Sequence, residues 1–392
     1  MPEPVLLAGV GMTPFARHPG RGVRDMARSA AFEALDNASV PATDVSKIYF
    51  GNAADGVISH QEMIRGQVAF RRSELSGVPL VNVENACASG GSALNLAWES
   101  VAGGRSDVAL VVGVEQLTHA EKFRTFAALR GSTDIDEIGE APYGEVAPNS
   151  VLMDFYAEEA RDYLAETDAT PADLAQVAVK NRQNAAHNPL ALYRGPQTVE
   201  EVLAGRTIVS PLTLAMCSPV TDGAAALVLC SREYGARLNG RTLEILASEL
   251  RAGRERGSSP VADAAAAAFA AASVGPDDLD VLELHDAAAP AELIQYGEVG
   301  LCGPGEGHHM LRRGETELGG RIPVNTSGGL MSRGHPLGAT GCAQIVELHD
   351  QLLERADGRQ VDGARLGMAV NAGGWLGGAY ATVVATIVAR TS

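Results

Sequence analysis

The segment NACASGG, Asn85 to Gly91, sets one cysteine, Cys87, at a strand-to-helix turn among small residues. A helix N-terminus presents free N–H groups and a partial positive charge, and both favour a thiolate. A thiolate attacks acyl groups. The competing reading of the same cysteine is a small core residue. About 250 residues later, SGGLMSRGHPLGATG (327–341) holds His335 between Gly334 and Pro336. Proline fixes the entry to a helix, and an imidazole is a suitable base for a thiol near neutral pH. His285 stands in LHDAA (284–288) at the end of an apolar strand, where parallel sheets gather functional groups. NAGGWLGG (371–378) brings Asn371 and Gly373 on a small-residue loop that can aim a backbone N–H at an oxyanion. His308 and His309 are adjacent, but no carboxylate or thiolate pattern accompanies them, so no metal is expected.

The elements that carry these residues occur twice. PVLLAGVGMTPF (4–15) matches TLEILASELRA (242–252), and KIYFGNAADG (47–56) matches VLELHDAAAP (281–290). The Cys87 segment (81–100) pairs with the His335 segment (324–352), each running from Val-Asn through a small-residue loop into a long helix. DVALVVGVE (107–115) matches RLGMAVNAGG (365–374), and DGAAALVLCS (222–231) matches GAYATVVATIV (378–388). Two halves follow, 1–240 and 241–392, and a pseudo-twofold between them brings both helix starts to the interface. Strands alternating with helices predict a mostly parallel sheet covered on both faces. The alanines at 264–268 predict a helix packed tightly between two sheets. The first half carries an insertion, about 117–205, with an acidic loop at 134–140. In it, Thr170 and Pro171 read as N-cap and first residue of a helix. Insertions of this size carry ligand contacts or a lid.

Composition narrows the classes. The chain has 392 residues, 46% hydrophobic and 20% charged, as in a globular protein. A net charge of −17 argues against nucleic acid and favours solubility. Arg251, Arg254 and Arg256 form the one local basic patch, which reads as a phosphate contact or a solvated loop. Five dispersed cysteines, with no metal spacing, suit a reducing cytoplasm. The first residues lack the basic n-region of a signal peptide, and no apolar run is long enough for a bilayer span. Cys217, Cys230 and Cys342 read as core. Cys302 reads as a residue that can lie near the site, and His187 as a possible contact in the insertion.

CASG paired with GHPLGATG, in this order and spacing, resembles the thiolase superfamily over nearly the whole chain. The resemblance implies a five-layer α-β-α-β-α sandwich of two pseudo-symmetric halves with an inserted loop domain. It implies a homodimer, and a coenzyme A thioester as substrate rather than a bound cofactor. It makes Cys87 the acyl-accepting nucleophile, His335 its base, and the backbone N–H groups of Cys87 and Gly373 an oxyanion hole.

The departures bear on the second step. Ordinary thiolases carry a second cysteine in a CxGG loop, where this chain has Asn371. The His285-Asp286 pair resembles the sterol-carrier-protein type, which places that cysteine next, where this chain has Ala287. Cys87, His285 and His335 resemble the Cys-His-His set of ketosynthases. The NAGGWLGG loop and GVGMTPFAR also resemble bacterial lipid-transfer proteins. Some of these act as retro-aldolases on steroid side-chain CoA thioesters with a small OB-fold partner bound. Tyr296 and Tyr380 are nearby phenols, each also readable as packing. The leading expectation is an acyltransferase that forms or cleaves a C–C bond. The alternatives are a retro-aldolase on a bulky β-hydroxyacyl-CoA and a non-catalytic acyl-CoA or lipid carrier.

Overall fold

The computed structural model describes residues 3–138, 150–254 and 257–391. Arg256 and the end of the acidic 134–140 loop lie outside the described residues. The strands are β1 (Val5–Met12), β2 (Lys47–Gly51), β3 (Leu80–Val83), β4 (Val108–Glu115), β5 (Thr207–Val209), β6 (Leu212–Thr213), β7 (Gly223–Ser231), β8 (Leu243–Ala252), β9 (Val281–Glu283), β10 (Leu366–Leu376) and β11 (Ala379–Arg390). Nine of them form one sheet in the order β3-β2-β4-β7-β1-β8-β11-β10-β9, and β5 and β6 form a small separate ribbon.

Read inward from its ends, the order is nearly a palindrome. On one side β2 pairs in parallel with β3 and β4, and β7 and β1 follow antiparallel. On the other, β9 pairs in parallel with β10 and, through a single bridge, with Val324, and β11 and β8 follow antiparallel. The seam between them is short: only Val5, Leu6 and Leu7 of β1 pair with Ile245, Glu244 and Leu243 of β8. The sheet is therefore mixed rather than mostly parallel. The reason is local. β10 turns directly into β11 across Gly377 and Gly378, and a tight hairpin joins only antiparallel strands. β3 is left as an edge whose Val81 is 37% exposed.

Side chains alternate across the strands, and that alternation builds the layers. Leu6 and Ala8 of β1 pack with Ala27, Ala30 and Ala34 of the outer helix Val23–Ala38. Val5 and Leu7 point the other way, into a core shared with helices Ser89–Ala102 and Thr340–Leu352 and with residues from both half-sheets. A third core lies under helix Pro260–Ala272 and helix Pro171–Ala185. The result is a layered α/β architecture, as the resemblance implies: outer helices, half-sheet, central helix pair, half-sheet, outer helix. Each fully covered central residue, such as Leu94 at 1% exposure, contributes about 2 kcal/mol of apolar burial.

One expectation changes here. The alanine-rich helix at 260–272 packs its Ala264, Ala265 and Ala268 face inward and exposes Ala266 and Ala270. It is an outer layer, not a layer between sheets; the small residues serve close approach to β8 and β11. Within the insertion, helix Pro171–Ala185 starts as read, with Thr170 capping and Asp173 returning a bond to the Thr170 N–H at 2.7 Å. Its inner face is buried, with Lys180 1% exposed and Asn181 fully covered.

Candidate active site

Cys87 sits in the turn Ala86–Ala88 that feeds helix Ser89–Ala102, and Ala86 adopts a positive φ of 47° to make the turn. His335 follows helix Gly329–Arg333, where Gly334 at φ 115° reverses the chain before Pro336. A side chain at that angle is strained, which explains the glycine. His285 follows β9. The fold brings the three together: the Cys87 sulfur and a ring nitrogen from each histidine all lie within 4.8 Å of one another. The two imidazoles meet edge to face, with centroids 5.1 Å apart.

Hydrogen bonds fix the tautomers. Thr340 Oγ1 donates to the Pro336 carbonyl at 3.0 Å, so it accepts from His335 Nδ1–H at 2.7 Å. His335 Nε2 is then a bare lone pair, and it is buried without a partner among the described residues. The His335 backbone N–H is held by Thr221 Oγ1 at 2.9 Å. Asn371 is oriented by accepting the Gly91 N–H at 3.1 Å. Its Nδ2 donates to the Cys87 carbonyl at 3.1 Å and faces His285 Nδ1 at 3.4 Å. That leaves the proton of His285 on Nε2. Gln295 brackets the same histidine, accepting its backbone N–H at 3.1 Å and donating to its carbonyl at 3.0 Å.

The electrostatics reverse one expectation. Burial pushes the Cys87 thiol up to about 12, and the nearby Glu115 charge adds to it. Its own N–H and that of Gly374 pull the other way but do not offset the loss of water. The resting group is a thiol, not the thiolate expected from a helix N-terminus alone. Burial, with the Arg333 charge, lowers His335 to about 3, and burial with the His335 and Arg333 charges takes His285 well below its ordinary value. All three groups are neutral at neutral pH. Glu115, raised to about 7 by burial, accepts from Asn52 Nδ2 and from the backbone of Ala53, Ala54 and Gly338. It ties the β2 loop to the His335 loop.

The remaining candidates separate. The Tyr380 ring meets the His285 ring at 6.0 Å, and its hydroxyl is 3.4 Å from Tyr156 and 3.5 Å from Gln295. Tyr296 instead bonds Glu292 and Thr316 in a buried network behind the site. There Lys180 pairs with Glu292 at 2.9 Å, and Asn181 donates to Asp286 and Glu292 at 2.8 and 2.7 Å. Gly373 packs so closely on the Cys87 turn that an added Cβ would lie 2.3 Å from the Ala88 nitrogen. Cys217, Cys230 and Cys342 are buried, and all five cysteines are unpaired. Cys302 is raised to about 11 by burial and the Glu306 charge, in the loop before His308 rather than beside Cys87. His187 rests against the Gly358 turn. Arg251 pairs with Glu249 at 2.9 Å.

A carboxylate does accompany His308 and His309. Asp168 Oδ1 lies 2.7 Å from one Nε2 and 3.2 Å from the other. Arg312 holds the second Asp168 oxygen at 2.9 Å, so the group is an ion-pair cluster pinning the insertion to helix Gly307–Arg312. No helix among the described residues is long and apolar enough to cross a membrane.

Comparison with known proteins covers both halves. Residues 5–194 match the family described as "Thiolase, N-terminal domain" and residues 248–386 that described as "Thiolase C-terminal domain-like". Benzoylsuccinyl-CoA thiolase subunit BbsB of Thauera aromatica is 37% identical over 91% of each chain. Acetyl-CoA acetyltransferase of Methanothermobacter thermautotrophicus is 36% identical over 94% of this chain and 96% of the relative. Sterol carrier protein 2 of Bos taurus is 33% identical over 96% of this chain and 70% of its own length. Among solved structures, an Ltp2-ChsH2(DUF35) aldolase shares the fold at a TM-score of 0.80, with 24% identity over 99% of this chain and 98% of that one. Human mitochondrial 3-ketoacyl-CoA thiolase shares it at 0.70, with 17% identity over 100% and 99%. Family matches over both halves and relatives aligned along nearly the whole chain agree: the chain belongs to the thiolase family.

Proposed function

We propose that this chain is an acyl-CoA acyltransferase that holds its acyl group as a thioester on Cys87 and then forms or breaks a C–C bond. The observation that carries this is the meeting of one thiol and two neutral imidazoles within 4.8 Å, with His335 Nε2 left bare. Cys87 Sγ attacks the thioester carbon while its proton passes to His335 Nε2. The bond to the CoA sulfur breaks, and that sulfur leaves with the proton. Because thiol and imidazole are both neutral at rest, proton transfer accompanies attack rather than preceding it. Backbone N–H groups of Cys87 and Gly374, the two that reach the Cys87 sulfur, hold the first oxyanion in place of the expected Gly373 donor, and His285 Nε2–H serves the second. The relatives named benzoylsuccinyl-CoA thiolase subunit and acetyl-CoA acetyltransferase support a CoA thioester as substrate.

Asn371 favours a second reading of the later step. Its amide is committed to Gly91, Cys87 and His285 and has no proton to exchange at a substrate α-carbon. A retro-aldol cleavage of a bulky β-hydroxyacyl-CoA, or simple carriage of an acyl-CoA or lipid, dispenses with that exchange. For the cleavage reading we include a small OB-fold partner; a fold shared with an aldolase named with two components is consistent with it. We further propose a cytoplasmic homodimer, the open β3 edge supplying its contact, and two halves, 1–240 and 241–392.

Intact-protein mass spectrometry after incubation with acetyl-CoA and longer acyl-CoAs tests the primary reading. Wild type should gain an acyl mass that Cys87→Ala does not. Turnover that survives Cys87→Ala, with no adduct in wild type, would move the assignment to cleavage. CoA-thioester binding without adduct or turnover would move it to carriage.

A further inference from the structure

Behind Tyr380 lies a chamber of about 320 Å³, between helix Val151–Glu166, the start of helix Pro260–Ala272, helix Ala289–Glu298 and the β10–β11 turn. That volume is at the small end of ligand pockets. Tyr380 and Gln295 line it, and the same two residues touch His285. The chamber thus adjoins the Cys87 site across one wall.

Its interior is chemically uneven. Trp375 supplies an aromatic face, packed edge-on against Tyr380 at 5.2 Å. Glu159 and Glu298 supply two carboxyl groups, while Arg254 stands exposed at the rim. Glu159 Oε2 is shut off from solvent and has no hydrogen-bond partner among the described residues. Burial and the Glu298 charge push Glu159 up to about 8. Burial raises Glu298 too, although Ser259 donates to it. Both carboxyl residues are half-buried, and the empty Glu159 acceptor carries a desolvation cost that a donor in the chamber would offset. The chemistry at Cys87 makes no use of either group.

We propose that this chamber receives the far end of the acyl group and selects a chain that carries a hydrogen-bond donor there, a hydroxyl or an ammonium, over a plain alkyl chain. Glu159 accepts the donor, Glu298 is its second acceptor, and Trp375 covers the methylenes that lead to it. This rests on the acyl-CoA reading above.

The test separates the two. Thioether analogues of acyl-CoA cannot acylate Cys87, so their binding reports the chamber alone. Calorimetry would compare S-alkyl-CoA, S-(ω-hydroxyalkyl)-CoA and S-(ω-aminoalkyl)-CoA, butyl through decyl, with S-methyl-CoA as the short control. At the best chain length, a donor-tipped thioether should bind about tenfold tighter than its alkyl twin, the gain of one hydrogen bond. Glu159→Leu should erase that advantage and leave S-methyl-CoA binding unchanged. A preference for the amine identifies an ammonium ligand; equal gains identify a neutral donor. If every alkyl twin binds as tightly in wild type, or the advantage survives in Glu159→Leu, the proposal is overturned. The wild-type series decides even if the variant fails to fold. Failure of the acyl-CoA reading would show instead as absence of an acetyl adduct on Cys87.

Discussion

Thr340 Oγ1 lies 2.7 Å from His335 Nδ1 and fixes which nitrogen of that ring carries the proton. It can accept only because its own proton is committed to the Pro336 carbonyl at 3.0 Å. Removing the hydroxyl in Thr340→Val frees the ring to turn and to change tautomer. Acylation of Cys87, followed by mass spectrometry against time, should slow on the order of tenfold, about 1.4 kcal/mol of lost orientation. Thr340→Ser should recover most of it. Equal rates in Thr340→Val and wild type would remove Thr340 from the mechanism.

The pH profile should lack a histidine inflection. With His335 near 3 and the Cys87 thiol near 12, the neutral pair persists across the working range. The acylation rate should show no histidine break near the ordinary imidazole value of about 6.5, and any inflection near 7 should belong to Glu115 and vanish in Glu115→Gln. Stability behaves differently. His335 is depressed in the folded chain, so the unfolded chain binds the extra proton. Its contribution is complete above about 6.5 and is lost as pH falls toward 3. Urea midpoints should therefore drop through that window in wild type, and drop less in His335→Gln.

Asn371 joins the two halves, and its loss should be felt in stability before chemistry. Asn371→Ala strips partners from the Gly91 N–H and the Cys87 carbonyl. Each buried group left unpaired costs about 1–3 kcal/mol, which denaturant unfolding would register. Asn371→Cys installs a thiol at the place where ordinary thiolases carry their second cysteine. If the missing acid/base group is all that limits exchange at the α-carbon, this variant should speed deuterium exchange of acetyl-CoA methyl protons.

Glu115 raises the Cys87 thiol through its charge. Glu115→Gln should bring the midpoint of iodoacetamide alkylation of Cys87 to lower pH. An unshifted or higher midpoint in a folded variant would contradict that coupling.

Lys180 is 1% exposed and pairs with Glu292 beneath Asp286. Lys180→Met leaves a buried carboxylate without its cation, a loss of about 3–5 kcal/mol. Lys180→Met combined with Glu292→Gln should recover part of that loss in the same unfolding assay.

The sequence made the site legible wherever the signal was local. Cys87, His335 and Asn371 stand in short glycine-rich segments that declare a turn, and the internal echo placed two of those turns opposite each other. Direction of strand pairing was less legible, because apolar runs look alike in parallel and antiparallel sheets; only the Gly377–Gly378 turn betrays the hairpin. Lys180, Asn181, Glu115 and Asp168 gave no signal. Apart from the bond between neighbours Lys180 and Asn181, their partners lie 60 or more residues away in sequence, as in the 140 that separate Asp168 from His308. The thiol's protonation was misread for a related reason: a helix start is written in the sequence, whereas the depth of its burial is a property of everything packed around it.

The contact between the two halves is set by missing atoms. A Cβ on Gly113 would lie 2.3 Å from the Gly338 carbonyl oxygen, and one on Gly90 would lie 2.6 Å from it. Gly338 in turn has the Val114 carbonyl 2.6 Å from where its own Cβ would be. A methyl at any of the three forces backbone at this seam to shift, and with it the Cys87 turn relative to the His335 turn. The reacting distance is thus a tolerance held by three hydrogens.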